Sequence, residues 1–252
     1  MIKAQIYDVF CNKTAKGNPC SVVELDEWAS DELLLQITHK QNQPVTSFIV
    51  QSGDSFYIRW FTLDGEINLC GHGSLGAGAA LISKYQVREI TLNSQYGQVV
   101  VSEKNGSYKI IMPMWLPKNC SLPLDISGLI SPPIETFSTR DLVLVLDSED
   151  EVINFKPDFS QLEKITDFHA LIITAKRSED SYVLRYFAPK IGIFEDLATG
   201  SAQCSLAPYW FQQLGTGTLS VSQLSSTGGY FEVEKGVDST IVLSAQVKIR
   251  KP

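Results

Sequence analysis

Apolar and polar positions alternate along Met1 to Phe10 as in a strand, and strand and helix signals then take turns along the chain. The first half reads as strand 4–10, a Gly17-Asn18-Pro19 turn, strand 20–25, helix 30–41, and strands 46–51 and 55–62. A helix of small residues follows at 73–84, and then a hairpin over 89–113 with its turn at Asn105-Gly106. The pattern stops between Pro117 and Thr139, where Pro117, Pro123, Pro132, Pro133 and Gly128 crowd together, and this stretch reads as a linker. It resumes with strand 141–146, a helix around 159–165, strands 169–175 and 181–187, helix 201–214 and a hairpin over 228–245.

The two small-residue helices carry no charged face. Neither Ser74 to Ile82 nor Ala202 to Phe211 contains a charged side chain, so each is expected to be buried on most sides. A helix of that kind suits a curved sheet wrapped closely around it, one in each half. Pro208 is expected to kink the second helix or to break it.

The halves also repeat one another. Arg59-Trp60-Phe61-Thr62 leads through Leu69-Cys70-Gly71-His72-Gly73-Ser74 into the first small-residue helix. Arg185-Tyr186-Phe187-Ala188 leads through Leu197-Ala198-Thr199-Gly200-Ser201 into the second. The offset is 126 residues at the arginines and 127 at the Gly-Ser pairs, in a chain of 252. Two copies are too few for a solenoid. The expectation is an α+β protein of two pseudo-symmetric domains, each a barrel-like β-sheet around a central helix. Their bounds are 1–117 and 140–252, with 118–139 as the linker.

Composition adds limits rather than identity. With 44% hydrophobic and 19% charged residues the chain is an ordinary globular protein with room for a core in each half. The net charge of −7 is spread along the chain without a basic face, which argues against a nucleic-acid partner. Asp147, Glu149, Asp150 and Glu151 form an acidic cluster that reads as a solvated turn. The N-terminus lacks a signal peptide's apolar region, and no apolar run reaches the roughly 18 residues of a membrane span. Five cysteines without close pairing fit a reducing cytoplasm.

Candidate chemistry gathers where the two helices begin. Gly73-Ser74 and Gly200-Ser201 each offer backbone amides and a hydroxyl, which suits capping and equally suits holding an anion. If both face one interdomain cleft, they fit a small carboxylate. His72 and Asp196 flank these pairs and are the candidate proton-transfer groups; their plainer roles are a structural hydrogen bond and a turn aspartate. Gly71-His72-Gly73-Ser74-Leu75-Gly76 matches G-x-G-x-x-G, but Glu89 opens a hairpin strand instead of closing a βαβ unit, so no nucleotide cofactor is expected. His39, His72 and His169 show no metal-ligand spacing.

These residues resemble the phenazine-biosynthesis-like (PhzF-type) isomerases over nearly the whole chain. The resemblance rests on Phe187-Ala188-Pro189, Gly192-Ile193, Glu195-Asp196, Thr199-Gly200-Ser201-Ala202 and Leu206-Ala207-Pro208-Tyr209-Trp210. Arg59-Trp60-Phe61-Thr62 with Glu66, Leu69-Cys70-Gly71-His72, and Asp8-Val9-Phe10 with Gly17-Asn18-Pro19 add to it. The resemblance implies a diaminopimelate epimerase-like fold, no cofactor, a homodimer, and proton movement on a small cyclic or amino carboxylate. It implies site roles for His72, Gly73, Asp196, Gly200 and Ser201.

One position departs from the family pattern. Where the family carries its catalytic glutamate, the segment reads Asn42-Gln43-Pro44-Val45-Thr46-Ser47-Phe48, and Val45 cannot carry a proton. Asp64, Glu66 and Asp196 are the candidate substitutes. Two alternatives stand beside an active isomerase: a carboxylate-binding paralogue that has lost the chemistry, and a thiol-dependent epimerase using Cys70. The second lacks a partner, since the position opposite Cys70 falls at Leu197 or Ala198 and Cys204 lies further on.

Overall fold

The computed structural model describes residues 3–123 and 132–250; residues 124–131, which belong to the stretch read as a linker, lie outside them. The chain divides into two compact units, Met1–Ile111 with Ser244–Pro252, and Met112–Leu243. The end of the chain thus belongs to the first unit, and residues 112–117 belong to the second. The linker stretch contributes two short strands, Lys118–Asn119 and Glu135–Ser138.

The first unit contains β1 (Ala4–Cys11), β2 (Asn18–Leu25), α1 (Asp31–Gln41), β3 (Thr46–Ser52), β4 (Ser55–Thr62), β5 (Gly65–Ile67) and α2 (Gly71–Tyr85). β6 (Glu89–Ser94), β7 (Gly97–Lys104) and β8 (Ser107–Pro113) follow, and the C-terminal part of β16 (Thr240–Ile249) joins them. The ladder runs β1-β2-β3-β4-β6-β7-β8-β16 and returns to β1 through Tyr7↔Ile249 and Val9↔Val247. It is a closed barrel, so none of these eight strands is left as the end of the ladder; β5 stands off it, paired with β4.

Helix α2 fills that barrel, and its composition makes this possible. Leu75, Ala77 and Leu81 are fully buried. A Cβ on Gly78 would lie 2.5 Å from Val101, and one on Gly76 would strike the Cys20 thiol. The strands approach the helix backbone so closely that a side chain fits at neither position. Helix α1 lies on the outer face, where Leu34 and Ile37 pack with Val23, Phe48 and Phe61. Ser30 caps it by accepting from the Leu33 amide, and Asn42 ends it in the left-handed region.

The second unit repeats the order. It contains β9 (Lys118–Asn119), β10 (Glu135–Ser138), β11 (Leu142–Val145), α3 (Glu149–Asn154), α4 (Phe159–Leu162), β12 (Leu171–Ser178) and β13 (Ser181–Phe187). After a 3₁₀ turn at Pro189–Ile191 come α5 (Ala202–Leu214), β14 (Thr218–Gln223), β15 (Gly229–Lys235) and the first part of β16. In the first unit β2 pairs parallel with β3 across α1, and β4 with β6 across α2. In the second, β11 pairs parallel with β12 across α3 and α4, and β13 with β14 across α5. The predicted repeat is therefore a repeat of topology, with a barrel-like sheet about one central helix in each unit.

One local expectation is corrected and another is narrowed. The acidic stretch read as a turn is the start of α3: the Ser148 hydroxyl accepts from the Glu151 amide, and Glu149, Asp150 and Glu151 fill the first turn, where the helix dipole favours anions. Pro208 neither breaks α5 nor divides it. A proline there cannot donate to the carbonyl of Cys204, and the backbone amide of Trp115 donates to that carbonyl instead, at 2.8 Å. Among the described residues, no helix is long and apolar enough to cross a membrane.

Candidate active site

In the first unit the candidate residues gather at the start of α2. Cys70 is the residue before the helix, and its Sγ lies 3.3 Å from Nδ1 of His72. Gly73 and Ser74 fall inside the first turns, because the helix begins at Gly71. The Ser74 hydroxyl turns back to donate to the Cys70 carbonyl at 2.7 Å, and the Ser47 hydroxyl donates to the Gly73 carbonyl at 3.0 Å. Neither is a capping bond.

Val45 stands at this same entrance. Its side chain is buried, and its Cγ1 lies 3.3 Å from the point a Cβ on Gly73 would occupy; Trp60 Cδ1 lies 3.0 Å from that point. The Val45 carbonyl accepts from the Ser21 amide at 2.9 Å, which fixes its backbone to β2. The indole Nε1 of Trp60 is buried and makes no hydrogen bond among the described residues.

In the second unit the corresponding entrance is more polar. Asp196 is tied by its amide to the Tyr186 carbonyl at 3.0 Å, and its Oδ2 accepts from the Thr199 hydroxyl at 2.6 Å. The buried Gln223 side chain holds the loop: it accepts from the Thr199 amide at 2.8 Å and donates to the Asp196 carbonyl at 2.7 Å. The hydroxyl and the clamped backbone together fix the orientation of this carboxylate. Ser201 precedes α5 without capping it, and its Oγ accepts from Arg140 Nη2 at 3.3 Å. Thr199 was within reach of the sequence, as part of the Thr-Gly-Ser element. Gln223 and Arg140 were not, since they lie 24 and 61 residues from their partners Thr199 and Ser201.

Glu66 and Asp64 are placed differently. Glu66 is bonded through both oxygens to Arg59, with Nε to Oε1 at 2.8 Å, and Arg59 also reaches Asp31 at the start of α1. The second unit repeats the motif with Arg185 and Glu195, at 2.7 and 3.0 Å, and Arg185 Nη1 donates to the Phe155 carbonyl where α3 ends. In each unit this fork ties the strand before the central helix to the crossover helix on the outside. Asp64 is exposed in the turn between β4 and β5.

The thiols divide by environment. Burial pushes Cys204 up to about 12, and burial raises Cys20 well above the usual thiol value, followed by the nearby Cys70 and Asp8. Neither forms a thiolate near neutral pH. Among the described residues no group of three or more His, Cys, Asp and Glu side chains assembles in a geometry that could hold a metal ion.

Two units of one topology, each with a buried helix whose entrance carries the polar side chains, define the racemase and epimerase class of fold. A hydroxyproline epimerase of Agrobacterium vitis shares it, with a TM-score of 0.61, 9% identity, and coverage of 98% of this chain and 91% of that one. The chain belongs to the phenazine biosynthesis-like protein family, whose match extends over residues 7–247. It is 58% identical over 250 residues to an uncharacterized isomerase of Vibrio cholerae, covering 99% of this chain and 90% of that protein. A PhzF-family phenazine biosynthesis protein of Enterococcus faecalis superposes with a TM-score of 0.92 at 31% identity, covering 100% of this chain and 98% of that chain.

Proposed function

We infer that this protein is a cofactor-independent isomerase that moves a proton on a small carboxylate, using His72 and Asp196. The observation that carries this reading is the Asp196 carboxylate, oriented by the Thr199 hydroxyl and clamped through Gln223. His72 supports it from the start of α2, with Nδ1 beside the Cys70 thiol. One of the two groups takes a proton from a carbon activated by the substrate's own unsaturation or carboxylate, and the other returns a proton elsewhere, so nothing is gained or lost overall. The amides of Gly73 and Gly200 and the Ser201 hydroxyl balance the enolate-like charge that develops in between.

Val45 bears on rate more than on identity. An acid at 45 would lie at the α2 entrance, next to the Trp60 indole N–H that lacks an acceptor among the described residues. We propose that His72 and Asp196 suffice without it, and that the homodimer implied by the resemblance is the working form. The test is solvent deuterium incorporation, followed by NMR over a panel of small cyclic and amino carboxylates, with wild type beside Val45→Glu. Incorporation by wild type supports the isomerase. Incorporation by Val45→Glu alone would leave a carboxylate-binding protein whose chemistry ended with that side chain.

A further inference from the structure

At the start of α5 stands a cation that the repeat does not single out. Arg140, just before β11, directs Nε and Nη2 at the two oxygens of Asp141, each at 3.1 Å, and Asp141 is fully buried. Nη2 also donates to the Tyr186 hydroxyl at 3.1 Å and to Ser201 Oγ at 3.3 Å. The guanidinium lies 4.8 Å from the centre of the Trp115 ring. Trp115 is itself fixed, because its amide bonds to the Cys204 carbonyl that Pro208 leaves open. Four elements therefore set the orientation of one guanidinium.

A guanidinium has five N–H donors. Nε and Nη2 account for three, and among the described residues nothing accepts from the two on Nη1. The side chain keeps 37% of its surface in solvent, so the cation is not sealed in the core. Ser201 Oγ accepts from Nη2 and makes no cap bond to α5, which leaves its own proton to donate. The result is a set of unspent donors, two N–H groups on Nη1 and the Ser201 hydroxyl proton, on a guanidinium held by its neighbours.

An array of that kind matches a planar oxyanion. The charge nearby selects which one. Asp141 already neutralises one unit and Asp196 opens the same loop, so a dianion such as a phosphate ester meets about twice the repulsion that a monoanion meets, while the N–H donors left on Nη1 serve either. We propose that Arg140, together with the Ser201 hydroxyl, docks the carboxylate of the substrate at the start of α5. This rests on the reading above that the substrate is a small carboxylate. It makes Arg140 the residue that distinguishes an acid from its neutral amide.

The test uses the full chain and two probe pairs, acetate with acetamide and benzoate with benzamide, titrated by NMR and by tryptophan emission, to which Trp115 contributes beside Trp28, Trp60 and Trp210. Wild type is expected to prefer each acid to its amide. Arg140→Lys keeps a charge against Asp141 but loses the fork, and acid affinity is expected to fall about tenfold or more while amide affinity holds. Ser201→Ala, which leaves no buried charge exposed, is expected to cost about threefold to tenfold and keeps the proposal testable should Arg140→Lys not fold. Equal binding of acids and amides by wild type, or unchanged acid affinity in a folded variant, overturns it.

The two readings fail separately. On a substrate that exchanges, Arg140→Lys is expected to raise KM with little change in kcat, and an unmoved KM removes the docking role while the isomerase stands. Arg140-dependent binding of acids without exchange of any carboxylate does the reverse.

Discussion

The two central helices do the same architectural job by opposite means. Helix α2 lies in a closed barrel and fits because Gly76 and Gly78 let Cys20 and Val101 reach its backbone. Helix α5 carries large side chains instead, among them Tyr209, Trp210 and Phe211, and buries polar groups that its sheet satisfies. Gln203 accepts from the Tyr182 hydroxyl, Trp210 Nε1 donates to Thr174 Oγ1 at 3.1 Å, and Thr139 and Ser205 share a bond of 2.7 Å. Among the described residues the ladder of the second unit does not close on itself. The closed barrel therefore goes with a thin helix, and the second unit's sheet with a thick, hydrogen-bonded one. The difference reaches the entrances: at α2 the hydroxyls of Ser47 and Ser74 are spent on backbone carbonyls, while at α5 the Ser201 hydroxyl accepts from the Arg140 guanidinium.

The sharpest way to break this comparison is to thicken α2. Gly78→Ala places a Cβ 2.5 Å from Val101, which is fully buried, and should cost about 1–3 kcal/mol in urea unfolding. Adding Val101→Ala should recover a large part, and simple addition of the two losses would contradict the packing argument. In α5 the corresponding weak point is polar. Gln203→Leu leaves the Tyr182 hydroxyl buried without its acceptor and should cost about 1–2 kcal/mol. Tyr182→Phe in the same background should restore some of that loss.

Pro208→Ala sharpens the comparison from a different side. An interior proline costs a helix about 3 kcal/mol, so relief of that cost would show as a large gain. The Trp115 amide already satisfies the Cys204 carbonyl, and the expected change is within about 1 kcal/mol in either direction. A gain near the full proline cost would mean that the Trp115 bond does not compensate.

The smallest effect is a pH dependence confined to the second unit. Burial, followed by the Arg140 cation, holds His169 below its ordinary value of 6.5. The unfolded chain then binds the proton more readily than the folded one, so this contribution to stability is complete above 6.5 and is lost as pH falls through the lower, folded value. His169→Gln should flatten the stability profile on the acid side of 6.5 and leave the neutral region unchanged. An unaltered acid slope would place the titrating group elsewhere.

Most elements were legible because they follow local periods. The strands about α1 and the two small-residue helices show in the alternation and in the absence of charge, and the repeated arginines at 59 and 185 mark equivalent strands. Pairings that depend on distant chain were not legible. β16 runs on to Ile249 and closes the first barrel with β1, which no hairpin signal between 228 and 245 announces. β14 alternates as Leu219, Val221 and Gln223 turn inward, but a polar residue at an inward position hides the strand. At the site, His72 and Asp196 stood out by their place before a helix. Arg140 did not, because its meaning comes from Trp115, Tyr186 and Ser201, none of them near it in sequence. Glu66 drew notice as an acid, whereas its repeated partnership with Arg59, mirrored by Arg185 and Glu195, is the more informative pattern.

The central claim is that His72 and Asp196 carry the proton. It is tested most directly by solvent deuterium incorporation into a carboxylate turned over by the wild-type chain, measured alongside Asp196→Asn and His72→Gln. A loss of about a hundredfold or more in either variant, with the fold intact by circular dichroism, is the predicted result. Incorporation at the wild-type rate in both would contradict the account and move the chemistry to other side chains.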